Sequence, residues 1–149
     1  MDIFAGWRGR HMLTLTEVTT NSPSFSAKPI TDAEAAAMFR AALNLFQLWG
    51  VTDDDATTLL DAPRRTFARW KANRAPGPLG RDGKARLSNL MGIHKALRII
   101  FHEPQRGYDW IKAPNIAFGG QSALQIMLGG ELTDLMRVRH YLDAERGAW

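Results

Sequence analysis

The stretch Thr52–Asn73, TDDDATTLLDAPRRTFARWKAN, decides the fold. Thr52 is a good N-cap, and Asp53, Asp54 and Asp55 follow it in the first turn, where carboxylates suit the positive end of a helix dipole. Ala56, Leu59 and Leu60 recur at helical spacing. Asp61-Ala62-Pro63 breaks the run, and Pro63 is placed to be the first residue of a new helix. That helix carries Phe67 and Trp70 three residues apart on one face, with Arg64, Arg65, Arg69 and Lys71 outside that pair. Two short helices, a tight bend, aromatic anchors inside and guanidinium groups outside make the plan of a helix-turn-helix.

The elements around this unit follow from caps and periodicity. Thr31-Asp32-Ala33-Glu34 is a capping box. The helix it opens presents Phe39, Ala42, Leu43, Phe46 and Trp49 on one face and ends at Gly50. Asn73 to Gly83 is rich in Pro, Gly and Arg and reads as a loop. A long helix is predicted from Asp82 or Gly83 to Phe101, with Leu87, Leu90, Met91, His94, Leu97 and Phe101 in a stripe that Ile93, Ile99 and Ile100 widen. Such a helix is central to its fold, or it faces both the core and a second surface. Shorter helices are predicted from Pro104 to Lys112 and from Ser122 to Leu128, and a last one from Glu131 or Leu132 to Glu145. Pro114–Gly120 is turn-rich. No segment alternates with a two-residue period. The expectation is an all-α chain with a flexible arm over residues 1–30, a helix-turn-helix part over 31–80 and a second helical part over 81–149. Met12 is an alternative start, so residues 1–11 do not enter the fold argument.

Bulk properties narrow the function. The chain has 149 residues, 45% of them hydrophobic, enough for one packed core or two coupled ones. Nineteen Lys and Arg against 15 Asp and Glu leave a net charge of +4. The excess is local: from Arg64 to Arg86 there are eight basic residues and one acid, a field suited to a polyanion. There is no cysteine, so disulfides and thiolate metal sites are excluded, and a cytoplasmic chain without membrane spans is expected. His11, His94, His102 and His140 have no i, i+4 spacing and no carboxylate cluster, so neither a metal nor a cofactor is expected. His94, in an apolar stripe, reads as a hydrogen-bonded core residue. With no phosphate loop and no nucleophile elbow, the chain is not expected to be an enzyme.

In a helix-turn-helix the second helix enters the major groove and meets base edges with its N-terminal half. Arg64, Arg65, Thr66 and Arg69 are the candidates for base contact, because arginine pairs bidentately with guanine. Lys71, Arg74 and Arg81 are candidates for phosphate contact. One recognition helix reads few base pairs, so operator DNA would be bound by a homodimer.

The second half supplies a family. Pro114-Asn115-Ile116-Ala117-Phe118-Gly119-Gly120, then Ser122-Ala123-Leu124, Gly129, Tyr141-Leu142 and Arg146-Gly147 resemble, in order and spacing, the C-terminal toxin-binding domain of Xre/MbcA/ParS-type antitoxins. The first half resembles the Xre-like helix-turn-helix of the same family in its Leu-Leu before the turn and its Thr-x-x-Arg-Trp at Thr66–Trp70. The resemblance covers about 115 residues, all but the N-terminal arm. It implies a type II antitoxin whose partner is a RES-domain, NAD-consuming toxin. The antitoxin would obstruct that toxin's active site, and the complex, a hetero-oligomer built on the homodimer, would repress its own operon. Candidate toxin contacts are Asn115, Phe118, Gly119, Gly120, Tyr141, Arg146 and Trp149. Phe118 is read as an aromatic presented on a tight loop, or alternatively as a core plug of the C-terminal bundle. The tail from Arg146 to Trp149 is read as reaching toward the toxin's nucleotide pocket, or alternatively as packing on the last helix. The competing reading is a stand-alone repressor whose C-terminal half only dimerises.

Overall fold

A computed structural model describes residues 28–147. The arm's residues 1–27 and the terminal Trp149 lie outside the described residues. Seven α-helices follow in order: α1 (Asp32–Trp49), α2 (Asp53–Leu60), α3 (Arg64–Asn73), α4 (Arg81–Ile100), α5 (Pro104–Lys112), α6 (Ala123–Met127) and α7 (Leu132–Gly147). A single 3-10 turn, Ile116–Phe118, lies between α5 and α6. The only extended pairing among the described residues is one bridge between Pro114 and Ser122. The chain is all-α, as its periodicity predicts.

The caps explain where the helices begin. Thr31 Oγ1 accepts from the Glu34 amide at 3.1 Å and the Glu34 carboxylate reaches back to Thr31, so the capping box forms. Thr52 Oγ1 accepts from the Asp55 amide at 3.1 Å and starts α2. Ser122 and Gln125 make a second capping box at α6. Boundaries differ from the sequence reading at several places, and α7 runs two residues past the predicted Glu145. Pro63 is the residue before α3 rather than its first: its ψ of 146° is extended, and helical geometry begins at Arg64. The loop is shorter than Asn73–Gly83, because α3 runs through Asn73 and Gly80 opens α4 at Arg81. Arg81 therefore belongs to a helix rather than to the loop. The short helix predicted over Ser122–Leu128 is α6, Ala123–Met127, with Ser122 as its cap.

One hydrophobic cluster runs through both halves. Phe39, Trp49, Leu59 and Phe67 from the first half join Leu87, Leu90 and Ile93 of α4, and these join Ile111, Met127, Leu135, Val138 and Leu142. α4 is the central helix, packed on α1, α2, α5 and α7. At Gly107 an added Cβ would lie 3.4 Å from Leu97 Cβ, so glycine lets α5 approach α4 closely. Polar contacts also cross the junction. Arg86, only 4% exposed, donates from Nη1 to the carbonyls of Leu59 at 3.2 Å and Thr58 at 3.5 Å. It thereby satisfies carbonyls at the C-terminal end of α2. Its Nε is held by Asp82 at 2.7 Å. The basic run counted Arg86 as part of a surface field, and the fold removes it from that field.

Candidate functional site

The helix-turn-helix is α2 and α3, backed by α1. Phe67 is buried and Trp70 half-buried, and both rings meet Phe39 edge-on, at 6.4 and 6.1 Å between centroids. These contacts fix the roll of α3, so the opposite side faces solvent. Arg65 and Arg69 are exposed there; Arg64, Lys71 and Arg74 are also exposed, but Lys71 and Arg74 border the groove beside Phe67 between α1, α2 and α3, and Thr66 is half-buried. Arg81 is exposed at the start of α4.

The charges on this face are not equivalent. Arg64 pairs with Asp54 at 2.5 Å, and Lys71 with Asp53 at 2.9 Å. The acidic first turn of α2, legible as a dipole complement, thus also neutralises two of the recognition-helix cations. Arg65, Arg69, Arg74 and Arg81 have no ion-pair partner among the described residues. The outer face of α3 therefore carries Arg65 and Arg69 without an ion-pair partner among the described residues, Arg74 caps its C-terminal end, and Arg81 stands apart at the start of α4 beside Lys28 and Lys84. Lys84, half-buried, pairs with Asp32 at 3.3 Å and adds little to the field.

The second candidate surface is built by α5, the 3-10 turn and α7. Asn115 is the pivot of the turn. Its Oδ1 accepts from the Ala117 amide at 2.9 Å, its carbonyl accepts from the Phe118 and Gly120 amides, and its amide donates to the Gln121 carbonyl. Gly119 and Gly120 follow with φ of +65° and +88°, in the left-handed region that favours glycine. Phe118 is not presented to solvent. It is 4% exposed, packed edge-on against Tyr141 at 5.1 Å and Trp110 at 6.4 Å, with the Arg137 guanidinium 5.5 Å from its ring centroid. Trp110 and Tyr141 stack on each other at 6.1 Å. Phe118 is therefore the plug that pins the turn to the bundle, which overturns its reading as a surface aromatic. The side chain that stands out is Ile116, 96% exposed. Its position in the turn gave no sign of this, since only Phe118 is buried there, through contacts with α5 and α7.

Arg146 is exposed near the end of α7, by a cleft shared with Gly92, Lys95, Arg139 and Asp143. Arg139 crosses α4 at Gly92, where an added Cβ would fall 2.6 Å from its guanidinium carbon. The Arg139 Nη1 reaches Asn89 Oδ1 at 3.4 Å. Asn115, Tyr141 and the two glycines thus lie together at one end, while Arg146 belongs to the α4–α7 seam. His94 is half-buried in the groove between α1 and α4, by Asn44, Leu48 and Met91, and its Nδ1 has no hydrogen-bond partner. It is not the hydrogen-bonded core residue expected, because the flanking side chains of the groove are mostly apolar. Burial, and then the neighbouring Arg98 guanidinium, hold its imidazole below the ordinary histidine range.

A helix-turn-helix joined through one central helix to a second bundle with a glycine-bearing turn makes a two-part all-α protein. Residues 28–92 match the antitoxin Xre-like helix-turn-helix domain, and residues 96–147 match the antitoxin Xre/MbcA/ParS C-terminal toxin-binding domain. The chain belongs to the Xre/MbcA/ParS antitoxin family. It is also 44% identical over 134 residues to the uncharacterized protein y4oB of Sinorhizobium fredii (strain NBRC 101917 / NGR234), across 89% of this chain and 99% of that protein. The two matched segments meet within α4, the helix that the common core makes indivisible. No helix among the described residues is long and apolar enough to cross a membrane.

Proposed function

We propose that this antitoxin neutralises a RES-domain, NAD-consuming toxin by obstructing its active site, and that it represses its own operon through α2 and α3. It acts by binding alone, without catalysis, in the cytoplasm, and as a homodimer within the toxin–antitoxin complex. The observation that carries this reading is the pairing, on one continuous core, of a toxin-binding segment with a recognition helix whose Arg65 and Arg69 stand exposed and unpaired. Arg65 and Arg69 meet base edges, while Arg74 and Arg81 meet phosphates. Arg64 and Lys71 contribute after releasing Asp54 and Asp53.

A growth-rescue and promoter experiment tests both halves in the full chain. The adjacent open reading frame is induced alone, with the wild-type chain, and with Arg65→Ala/Arg69→Ala. The neighbour arrests growth, both forms restore it, and only the wild type silences the shared promoter. Arg69→Ala alone weakens operator binding by about 1–3 kcal/mol in a shift assay at fixed salt. A harmless neighbour, with promoter repression intact, would favour the stand-alone repressor instead.

A further inference from the structure

Among the described residues three large apolar side chains are exposed: Leu48 at 47%, Ile99 at 53% and Ile116 at 96%. A single exposed aliphatic residue needs no explanation in general. Ile116 differs in how it is held and in what surrounds it. The six residues from Asn115 to Gly120 close on themselves. The Phe118 amide donates to the Asn115 carbonyl at 3.0 Å, the Gly119 amide to the Ile116 carbonyl at 3.0 Å, and the Gly120 amide to the Asn115 carbonyl at 2.9 Å. The Pro114–Ser122 bridge closes the base of the loop, and the buried Phe118 ring fastens it to α5 and α7. Ile116 is thus carried on backbone that is already ordered, and its branched side chain has few rotamers to lose. Ala113, Pro114, Ala117, Gly119 and Gly120, exposed beside it in the chain, bear no long or charged side chain; the exposed Lys112 and Gln121 flank them. A Cβ added at Gly119 or Gly120 would meet nothing within 4 Å. The result is an apolar knob flanked in the chain by small residues, with the exposed Arg137 guanidinium nearby over the Phe118 ring, where a partner surface can approach the backbone.

We infer that Ile116 is the apolar hot spot through which the C-terminal half grips its toxin, filling an apolar pocket on the toxin while Gly119 and Gly120 lie against the rim. The inference rests on the toxin-neutralising reading above, since the occupant is set by the turn's place within the segment that matches a toxin-binding domain. Phe118, Trp110 and Tyr141 are then positioning residues that hold the knob, and do not touch the toxin themselves. A rigid apolar anchor surrounded by small residues meets the two demands of an interface hot spot: little entropy lost on binding, and full exclusion of water around the anchor.

The test uses full-length protein and the purified product of the adjacent open reading frame, with affinity measured by calorimetry. Ile116→Ala lowers affinity about tenfold and Ile116→Asp a hundredfold or more, the scale expected for removing one buried aliphatic side chain or burying a charge in its place. Leu48→Asp, on α1 in the other half, serves as the control and leaves affinity within twofold. All three variants keep the wild-type thermal midpoint within a few degrees, because each side chain is exposed. Binding by wild type with Ile116→Asp equally tight overturns the inference and leaves the antitoxin reading standing. If Ile116→Asp instead splits a dimer of the chain alone in light scattering, with toxin affinity unchanged, the knob joins copies of this chain and the inference is wrong. No binding by wild type defeats the antitoxin reading and the inference together.

Discussion

Replacing Arg86 with methionine separates the structural cations of this protein from those proposed to face DNA. The substitution keeps most of the apolar stem and removes the guanidinium. Three hydrogen bonds go: to Leu59 O at 3.2 Å, to Thr58 O at 3.5 Å and to Asp82 Oδ2 at 2.7 Å. The Leu59 carbonyl is left unsatisfied in a buried place, at a cost of about 1–3 kcal/mol, and a charge-assisted bond of about 1.5–3 kcal/mol is lost. Asp82 is 53% exposed, so water solvates it once its partner has gone, and the full penalty of an orphaned buried ion does not apply. The desolvation relieved by removing a buried guanidinium offsets part of the loss. The expected net change is about 2–4 kcal/mol of destabilisation. With a urea m-value near 2 kcal/mol per molar, the midpoint falls by about 1–2 M.

The same variant, kept below its melting temperature, binds operator DNA with an unchanged salt dependence, because the Arg86 guanidinium faces the end of α2 rather than a phosphate. Arg74→Ala gives the opposite pair of results: little change in the urea midpoint, and a slope of log affinity against log salt about one unit shallower. Urea titration followed by fluorescence, and shift assays at several salt concentrations, measure both quantities. A shallower salt slope for Arg86→Met with an unchanged urea midpoint would refute the structural assignment of Arg86 and return it to the DNA surface.

Two further perturbations follow from the same contacts. Asp53→Asn/Asp54→Asn frees Lys71 and Arg64 and removes two carboxylates from the α2–α3 face, so DNA affinity at low salt rises, by about two- to tenfold, and the gain shrinks as salt is raised; weaker or unchanged binding in a salt-series shift assay would count against this face as the DNA surface. The His94 imidazole, held below the histidine range first by burial and then by Arg98, makes the unfolded chain the better proton acceptor. Its contribution to stability is therefore undiminished at pH values above about 6.5 and declines as pH falls from there toward the lower folded value. Urea midpoints at pH 7.5 and 5.5 differ less for His94→Gln than for wild type; an equal difference in both proteins would show that His94 does not set this dependence.

Helix positions were legible because caps and periods are local. Thr31, Thr52 and Ser122 act on amides three residues away, and a stripe such as Leu87, Leu90 and Leu97 needs only its own helix to be recognised. The roles of single polar and aromatic side chains were not legible, because they depend on partners from distant elements. Arg86 looks like one more cation in a basic run until α2 is placed over it, 27 residues earlier in the chain. Asp53 and Asp54 look like dipole complements until α3 folds back and brings Arg64 and Lys71 to them. The turn shows the limit most sharply. In Asn115-Ile116-Ala117-Phe118-Gly119-Gly120 the larger side chain suggests the contact residue and the glycines suggest exposure. The 3-10 geometry places Ile116 and Phe118 on different sides, and rings from α5 and α7 decide which side is inside. Trp110 and Tyr141 can enclose one flat ring edge-on with a guanidinium over it, an arrangement that suits phenylalanine and would leave a branched aliphatic side chain loosely packed. The aromatic residue therefore turns inward and the isoleucine is left in water, where its apolar surface gains only when another protein covers it.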